Sequence, residues 1–296
     1  MSSVIHTPVL LHESVTALAI LPNDIVVDGT FGGGGHSATL YDLLTHGMLI
    51  CVDLDEAAEQ RFNQQFKDHQ RATFVHSNFK DANTIISAAE VKGVNKVLLD
   101  LGTSTFQLLD DTRGFSFQSS TPLAMTFSSA GSHTGFTAHD IINGWQEDSI
   151  ANVIYGYGEE TKSRRIAHAI VEARQHGPIE TSSQLADIIA GAIPRRGRIH
   201  PATKTFQALR IAVNDELATV EEALNNWWQV LLPHGRISVI TFHSLEDRIV
   251  KQWMKQQTEG RIITKKPITP TTEELSHNPR SRSAKLRTIE KLPYQS

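Results

Sequence analysis

Four short apolar runs recur in the first hundred residues, at Ile25–Val27, Met48–Val52, Ala72–Val75 and Val97–Leu101. They are rich in β-branched or aliphatic residues and too short for buried helices, so they predict strands. Between them, Ser37–Leu44, Glu56–Phe66 and Asp81–Val91 carry helical patterns. Strand–helix alternation at this spacing predicts a parallel sheet with right-handed crossovers. After Gly102 the character changes: residues 110–135 are rich in Ser, Thr, Gly and Asp and predict loop. Helical patterns follow at Ala138–Gln175 and Ser182–Ala192, with no strand between them. From Pro201 the apolar steps Phe206, Leu209, Val213, Leu217, Val220, Leu224, Trp228 and Leu231 predict one long helix with a single stripe, ending near Leu232. Pro233-His234-Gly235 turns the chain into a strand at Arg236–Phe242, and Ser244-Leu245-Glu246-Asp247 has the form of a capping box opening a helix from Leu245 to about Gln257. Arg261–Thr264 and Lys285–Ile289 are candidate antiparallel edge strands. The expected architecture is an α/β sheet domain at 1–108 and 201–296, interrupted after strand four by an all-helical insertion at 109–200.

The first strand ends in Asp28 and runs into four glycines, Gly32 to Gly35, before His36 and Ser37. A strand, a glycine-rich turn and a helix let backbone N–H groups approach a ligand. The second strand ends in Asp53, which is well placed to accept hydrogen bonds from ribose hydroxyls. The glycines lack the G-x-G-x-x-G register that cradles a pyrophosphate, which favours a cofactor such as S-adenosylmethionine over a dinucleotide. A loose surface turn is the competing account of the glycines alone. In an open parallel sheet, ligands bind outside the carboxyl ends of the strands. That rule gathers Gly33, Gly34, Gly35 and His36, then Asp53, then Ser77 to Phe79, then Asp100 to Gln107, and finally Thr241 to His243. Asp53 would serve the ribose, Phe79 the adenine face and Asp100 the charged end of the cofactor.

Composition narrows the class without choosing a chemistry. The chain has 296 residues, 40% hydrophobic and 20% charged, enough to bury a core as one domain with a large insertion. Its net charge of −4 means that any nucleic-acid binding must come from local patches. The single cysteine, Cys51, lies in an apolar strand; it excludes an internal disulfide framework and suits a cytoplasmic setting. No signal-peptide pattern or membrane-length apolar run is present, and the 14 histidines are scattered, so neither a membrane nor a metal site is expected. Two basic tracts stand out. Between Ile188 and Val213 lie Arg195, Arg196, Arg198, Lys204 and Arg210 with no acidic residue, and Arg261–Lys291 holds eight Lys or Arg against three Glu. A solvated charged surface is the bland account; phosphate contact is the sharper one.

The longer motifs carry a resemblance. HTPVLL at 6–11, VDGTFGGGGHS at 27–37, LLDLG at 98–102 and RGFSF at 113–117 are similar to the bacterial cytosine-N4 methyltransferases of small-subunit ribosomal RNA, the RsmH or MraW family. So are IHPATKTFQALRIAVNDEL at 199–217, TFHSLEDRIVK at 241–251 and NPRSRSAKLR at 278–287. The resemblance spans essentially the whole chain. It implies a Rossmann-like, S-adenosylmethionine-dependent methyltransferase with an inserted all-helical domain after strand four, the insertion serving substrate recognition. The implied substrate is a cytidine in the decoding centre of 16S rRNA or the small ribosomal subunit. The family's cofactor contacts fall by motif position on Gly34, Gly35, His36, Asp53, Phe79, Asp100 and Gln107. Arg195, Arg196, Arg198 and Lys204 are the candidate RNA contacts.

The chain departs from the family pattern in two places. Where V-S-S-P-Q is usual it has Thr103-Ser104-Thr105-Phe106-Gln107, and where D-G-P-L-D-M-R-M-D is usual it has Ser120-Thr121-Pro122-Leu123-Ala124-Met125-Thr126-Phe127-Ser128, a loop expected over the mouth of the site. Transfer to N4 of cytosine needs positioning more than acid–base power, so Asp100 and Ser104 are candidates for holding the amine. His243 is a candidate substrate contact, with a structural role at the strand-to-helix turn equally open. Two functions compete: an active RNA methyltransferase, and a catalytically weakened homologue that binds cofactor and rRNA as an assembly factor. A nicotinamide-dependent dehydrogenase is disfavoured by the glycine register and the basic tracts.

Overall fold

Neighbouring residues of the central strands project to opposite faces, and both faces are covered. Val27, Ile50, Val52, Val97, Leu99, Ile237 and Val239 join one buried layer, while Val26, Leu49, Cys51 and Leu98 join the other. This two-sided burial is why the strands read as continuous apolar runs, as parallel sheets do. The computed structural model describes residues 8–104, 106, 113–117, 120–127, 135–194 and 200–293. They fall into two compact units, Met1–Gly102 with Leu217–Ser296, and Thr103–Glu216.

The first unit opens with α1 (Leu11–Leu18), which the sequence pattern did not separate, and continues as expected. β1 (Ile25–Asp28), α2 (Gly35–Asp42), β2 (Met48–Asp53), α3 (Glu56–Gln65), β3 (Ala72–His76), α4 (Ala82–Ala88) and β4 (Val94–Asp100) follow in order. The second unit holds α5 (Ala138–Gly144), α6 (Glu147–Gly158), α7 (Ser163–Arg174), α8 (Ser182–Ala192) and α9 (Thr203–Asn214). Instead of one helical span over 138–175 there are three helices, separated by extended backbone at Gln146 and a left-handed residue at Glu159. Thr137 and Thr181 form reciprocal capping boxes with Asp140 and Gln184, which fixes where α5 and α8 begin. The core of this unit is aliphatic, with Ile141, Ile154, Ile166, Ile170, Leu185 and Ile189 fully buried.

The chain then returns to the sheet through α10 (Glu216–Val230), β5 (Leu231–Thr241), α11 (Ser244–Gln256), β6 (Gly260–Ile262), α12 (Thr272–His277), a 3₁₀ turn at Pro279–Ser283 and β7 (Lys285–Lys291). The sheet order is β3-β2-β1-β4-β5-β7-β6. Its first five strands are parallel, and β7 and β6 form the antiparallel edge that the sequence suggested. The turn expected at Pro233-His234-Gly235 survives inside β5 as an irregularity: pairing with β4 jumps from Val94–Leu231 to Lys96–Arg236, and His234 has φ 62°. Among the described residues, no helix is long and apolar enough to cross a membrane.

The single long helix expected from Pro201 is a correction. Asp215 takes φ 49° and ends α9, so α10 starts afresh. The apolar stripe therefore serves two cores: Phe206, Leu209 and Val213 pack in the helical unit, whereas Val220 and Leu224 pack on the sheet. This also moves the boundary expected at residue 201, since α9 belongs with the helices. The apolar spacing points to Trp228, but Trp227 is the fully buried tryptophan, and its Nε1–H donates to the Phe79 carbonyl at 2.7 Å. Replacing Trp227 with Phe would strand that carbonyl and leave a void, at about 1–3 kcal/mol for the lost partner alone. We expect Trp227→Phe to lower Tm by several degrees in a thermal melt; an unchanged Tm would show that the bond contributes nothing.

Candidate active site at the carboxyl edge of the sheet

Strand order reverses beside β1, since β2 lies on one side of it and β4 on the other. A crevice forms outside the carboxyl ends at such a switch point. Asp28 ends β1, Asp53 ends β2, Asp100 ends β4, and β5 runs out through Thr241 to His243. The sheet thus brings the sequence-predicted Asp53 and Asp100 to one edge, together with the glycine turn.

The glycine turn is held from below. Gly32 N–H donates to Asp53 Oδ2 at 2.7 Å, Arg61 Nε–H donates to the Gly32 carbonyl at 2.8 Å, and Gln65 donates to the Gly34 carbonyl at 3.1 Å. Gly34 has φ 74°, and a β-carbon there would run into the Gln65 carboxamide and the Phe31 ring. At Gly35 a β-carbon would fall 2.7 Å from Pro8 Cγ. Packing therefore favours glycine at both positions. Gly33 lies between the buried Gly32 and Gly34 and is itself only half-buried. The amino end of α2 has Gly34 as its cap, with no side-chain cap and no acidic residue in the first turn, so its N–H groups and dipole are left for an anionic group.

Around this turn acidic side chains are buried. Asp28 is 1% exposed; Ser37 Oγ–H donates to it at 2.6 Å and Thr30 N–H at 3.2 Å, yet burial still pushes its pKa up to about 6. Asp100 is raised well above the carboxylate range by burial, then by the nearby charges of Asp28 and Glu246. Among the described residues, its buried Oδ1 has no hydrogen-bond partner. His36 is buried too, and burial lowers it to about 4, so it is neutral. Its Nε2 lies 3.0 Å from the Val9 carbonyl, which can only accept; Nδ1 therefore carries the lone pair, 3.7 Å from Asp100 Oδ2. An acidic crevice with an unpartnered carboxylate oxygen, a glycine cradle and an uncapped helix end fits a cationic nucleoside that also carries a carboxylate. S-adenosylmethionine has those groups.

Asp53 is raised by burial, although its carboxylate also accepts from Asp55 N–H at 2.9 Å; each oxygen keeps a lone pair for a ribose hydroxyl. Phe79 is half-buried beyond β3, fixed through its carbonyl by Trp227. His243 is the N-cap of α11, and this corrects the capping box expected at Ser244. Its Nδ1 accepts from Glu246 N–H at 3.3 Å, and Glu246 Oε2 accepts from Phe242 N–H and His243 N–H at 2.8 and 3.2 Å. Histidine filling the Ser/Thr place is what hid the box in the sequence. Asp28 and Glu246 are the charged groups that sequence reasoning passed over; strand-end position could have flagged the first, but only the cap geometry reveals the second.

The remaining candidates belong to the second unit or lie outside the described residues. Ser104 is half-buried in the second unit. Gln107, Arg195, Arg196 and Arg198 lie outside the described residues. Lys204 Nζ donates to the Glu159 carbonyl at 2.9 Å and lies 3.9 Å from Glu160, while its side chain stays half exposed. Arg210 forms a bidentate pair with Glu216 at 2.7 and 2.9 Å, so this tract is partly compensated by carboxylates outside its own span.

A model of the MraW methylase family matches residues 3–292. The chain belongs to that family. It is similar to proteins named ribosomal RNA small subunit methyltransferase H from Brevibacillus brevis, at 44% identity over 97% of this chain and 98% of the relative, and from Persephonella marina, at 45% over 97% and 99%. A third, from Deinococcus deserti, is 44% identical over 99% of this chain and 95% of its own.

The buried carboxylates of this methylase make its stability pH-dependent. Asp28 holds its proton more tightly folded (about 6) than unfolded (3.8), so its protonated form stabilises the fold at low pH, and that stabilisation is lost as pH rises through about 6. The swing is on the order of 3 kcal/mol. His36 acts oppositely, since stability is lost as pH falls from 6.5 toward about 4. Comparing Asp28→Asn with the parent isolates the Asp28 part. The variant should gain relative stability between pH 4 and 6 and hold a constant difference above that, read from denaturant titrations. A pH-independent difference would show that Asp28 is not perturbed.

Proposed function

We propose that this enzyme, an S-adenosylmethionine-dependent rRNA methyltransferase, methylates N4 of a cytidine in the decoding centre of 16S rRNA. The observation that carries the site assignment is the desolvated Asp100 carboxylate, with its free Oδ1, at the sheet's switch point. When bound, S-adenosylmethionine supplies a methyl group on a sulfonium cation. Asp53 accepts the ribose hydroxyls, Phe79 lies against the adenine, and Gly33 to Gly35 with the start of α2 take the carboxylate end. Asp28, Asp100 and Glu246 supply the negative field that favours the cation. Asp100 and Ser104 accept the N4–H bonds and hold the lone pair in line for transfer. Transfer would form the C–N4 bond as the methyl–sulfur bond breaks and leaves a neutral thioether, and the cationic N4 would lose its proton to solvent. His243 fixes the turn at this edge and contacts the substrate.

The cytidine must be unstacked to reach the crevice. Arg195, Arg196, Arg198 and Lys204 contact RNA phosphates, and the helical unit recognises the substrate. The enzyme works in the cytoplasm, where its one thiol, buried Cys51, stays reduced.

Tritiated methyl transfer to small subunits that lack the modification tests the reaction, and label recovered at cytidine N4 is expected. Asp53→Ala removes charged hydrogen bonds worth ~1.5–3 kcal/mol each, so calorimetric affinity for S-adenosylmethionine should fall tenfold or more. Wild-type affinity would remove Asp53 from the site. The weakened-homologue reading is tested by Ala124→Asp with Phe106→Pro under single-turnover conditions and saturating RNA. We expect a change below tenfold. A rise of a hundredfold, about 2.7 kcal/mol of barrier, would mean that the native enzyme is crippled.

A further inference from the structure

The second basic tract lies wholly in the sheet unit, and its charges divide into two sets. Four cations are engaged. Arg261 pairs with Glu290 at 2.7 Å, Arg287 and Lys285 reach Asp247 at 2.7 and 3.2 Å, and Lys291 donates to the Trp228 and Leu231 carbonyls at 2.7 and 2.9 Å. The other four, Lys265, Lys266, Arg280 and Arg282, are exposed, and of these Arg280 is engaged as well. Among the described residues, Lys265, Lys266 and Arg282 have no ion-pair partner. Of the acidic residues nearby, Glu274 accepts the Leu10 N–H at 2.8 Å and Glu273 lies in the first turn of α12, where its charge complements the helix.

Topology decides where these cations stand. β7 is antiparallel to β5, and its first residue, Lys285, pairs with Thr241 at the carboxyl end of β5; Asp100 pairs with Ile240 on the other side. The segment leading into β7 therefore reaches the same edge of the sheet as the candidate active site. Ile268 exchanges both backbone hydrogen bonds with Leu286, at 3.0 and 2.8 Å, which carries the bend at Lys265–Lys266 toward that edge. The arginines stand on a rigid base. Ser281 is fully buried with its Oγ–H donating to the Asn278 carbonyl at 2.8 Å, and Ala284 packs beside Leu10, Ile240 and Leu286. Exposed Arg280 and Arg282 flank that buried serine.

We propose that Lys265, Lys266, Arg280 and Arg282 form a second RNA-phosphate surface on the sheet unit, beside the carboxyl edge where the target base enters. The proposal builds on the RNA-methyltransferase reading and adds a binding surface distinct from the 195–204 tract. Preorganised guanidinium forks and exposed ammonium groups suit the phosphodiester backbone, and their place on a net-acidic chain makes them a local positive field.

The test uses the full chain with Lys265→Gln, Lys266→Gln and Arg282→Gln combined, and a second variant with Arg282→Lys alone. Anisotropy with a fragment of small-subunit rRNA and with an unrelated RNA is followed over a salt series, with cofactor calorimetry and Tm as controls. The triple variant should lose affinity for both RNAs and flatten the salt slope by about two to three, with each phosphate contact contributing roughly 0.7–0.9. Arg282→Lys should keep the slope. An unchanged slope in a folded triple variant, while the parent methylates small subunits, overturns this surface and leaves the proposed reaction standing. An unchanged slope with lost binding to phosphatidylserine vesicles assigns the patch to membranes and also overturns it. A parent that neither binds nor methylates rRNA overturns both readings.

Discussion

Asp28 and Asp100 end adjacent parallel strands, where the apolar layers on both faces of the sheet exclude water. Among the described residues neither has a lysine or arginine partner, and the nearest imidazole, His36, is neutral. Burial raises both carboxyls, and the charges of Asp28 and Glu246 raise Asp100 further. Local donors serve Asp28, through Ser37 and Thr30, and among the described residues Asp100 Oδ1 is left unpartnered. Ionising these carboxyls is therefore unfavourable, and a nearby cation would offset that cost. Binding a cationic cofactor and stabilising the ionised carboxylates are then one event, and each should strengthen the other.

The surrounding structure can be understood as support for that arrangement. Asp100 N–H donates to Thr30 Oγ1 at 2.7 Å, and Gly29 N–H to the Leu98 carbonyl at 2.9 Å, so the ends of β1 and β4 are tied to each other. Asp53 anchors the glycine turn through Gly32 and remains able to accept from a ligand. Trp227 reaches from α10 to fix Phe79, and Glu246 closes the turn after β5 by accepting from two successive backbone N–H groups. Each residue at the edge is thus oriented by a neighbour whose own position is set by the core.

Much of this was legible in the chain because it is local. β-branched runs ending in aspartate, four glycines before a helix, and polar residues after each strand follow from rules of a few residues' reach. What escaped depends on distant partners. One helical stripe from Phe206 to Leu231 gave no sign that Asp215 would divide it, because aspartate tolerates the left-handed conformation and leaves the apolar spacing intact. Trp227 and Trp228 are indistinguishable by type, and only the neighbouring cores decide which is buried. His243 does not resemble a capping residue, yet Nδ1 can accept as a hydroxyl does. The tract from Ile188 to Val213 looked uncompensated because Arg210 finds its carboxylate at Glu216, just beyond the tract's end.

The segment that departs from the family pattern shows how such a change can be absorbed. Its described part is built into the core of the helical unit. Leu123 and Met125 are each 1% exposed, Thr126 is 5%, and Met125 N–H donates to the Arg113 carbonyl at 2.7 Å. Asn214 binds both the Met125 carbonyl and the Phe127 N–H, at 2.8 Å each, while the Ala124 and Leu123 carbonyls accept from the first turn of α5. Thr126 stands where the family pattern has arginine, and an arginine in so buried a place would require a carboxylate close by. The pattern has aspartate two residues before it and two after it, at the positions of Ala124 and Ser128. Losing the arginine alone would leave those acids without a partner, and losing the acids alone would strand the guanidinium. Their joint replacement by small or polar residues removes both signs of charge together while the apolar anchors Leu123 and Met125 remain. An exchanged structural ion pair thus accounts for positions 124, 126 and 128, nothing in the structure explains the loss of the third acidic position at Ser120, and the carboxylates at the sheet edge, where the chemistry is assigned, remain untouched by these changes.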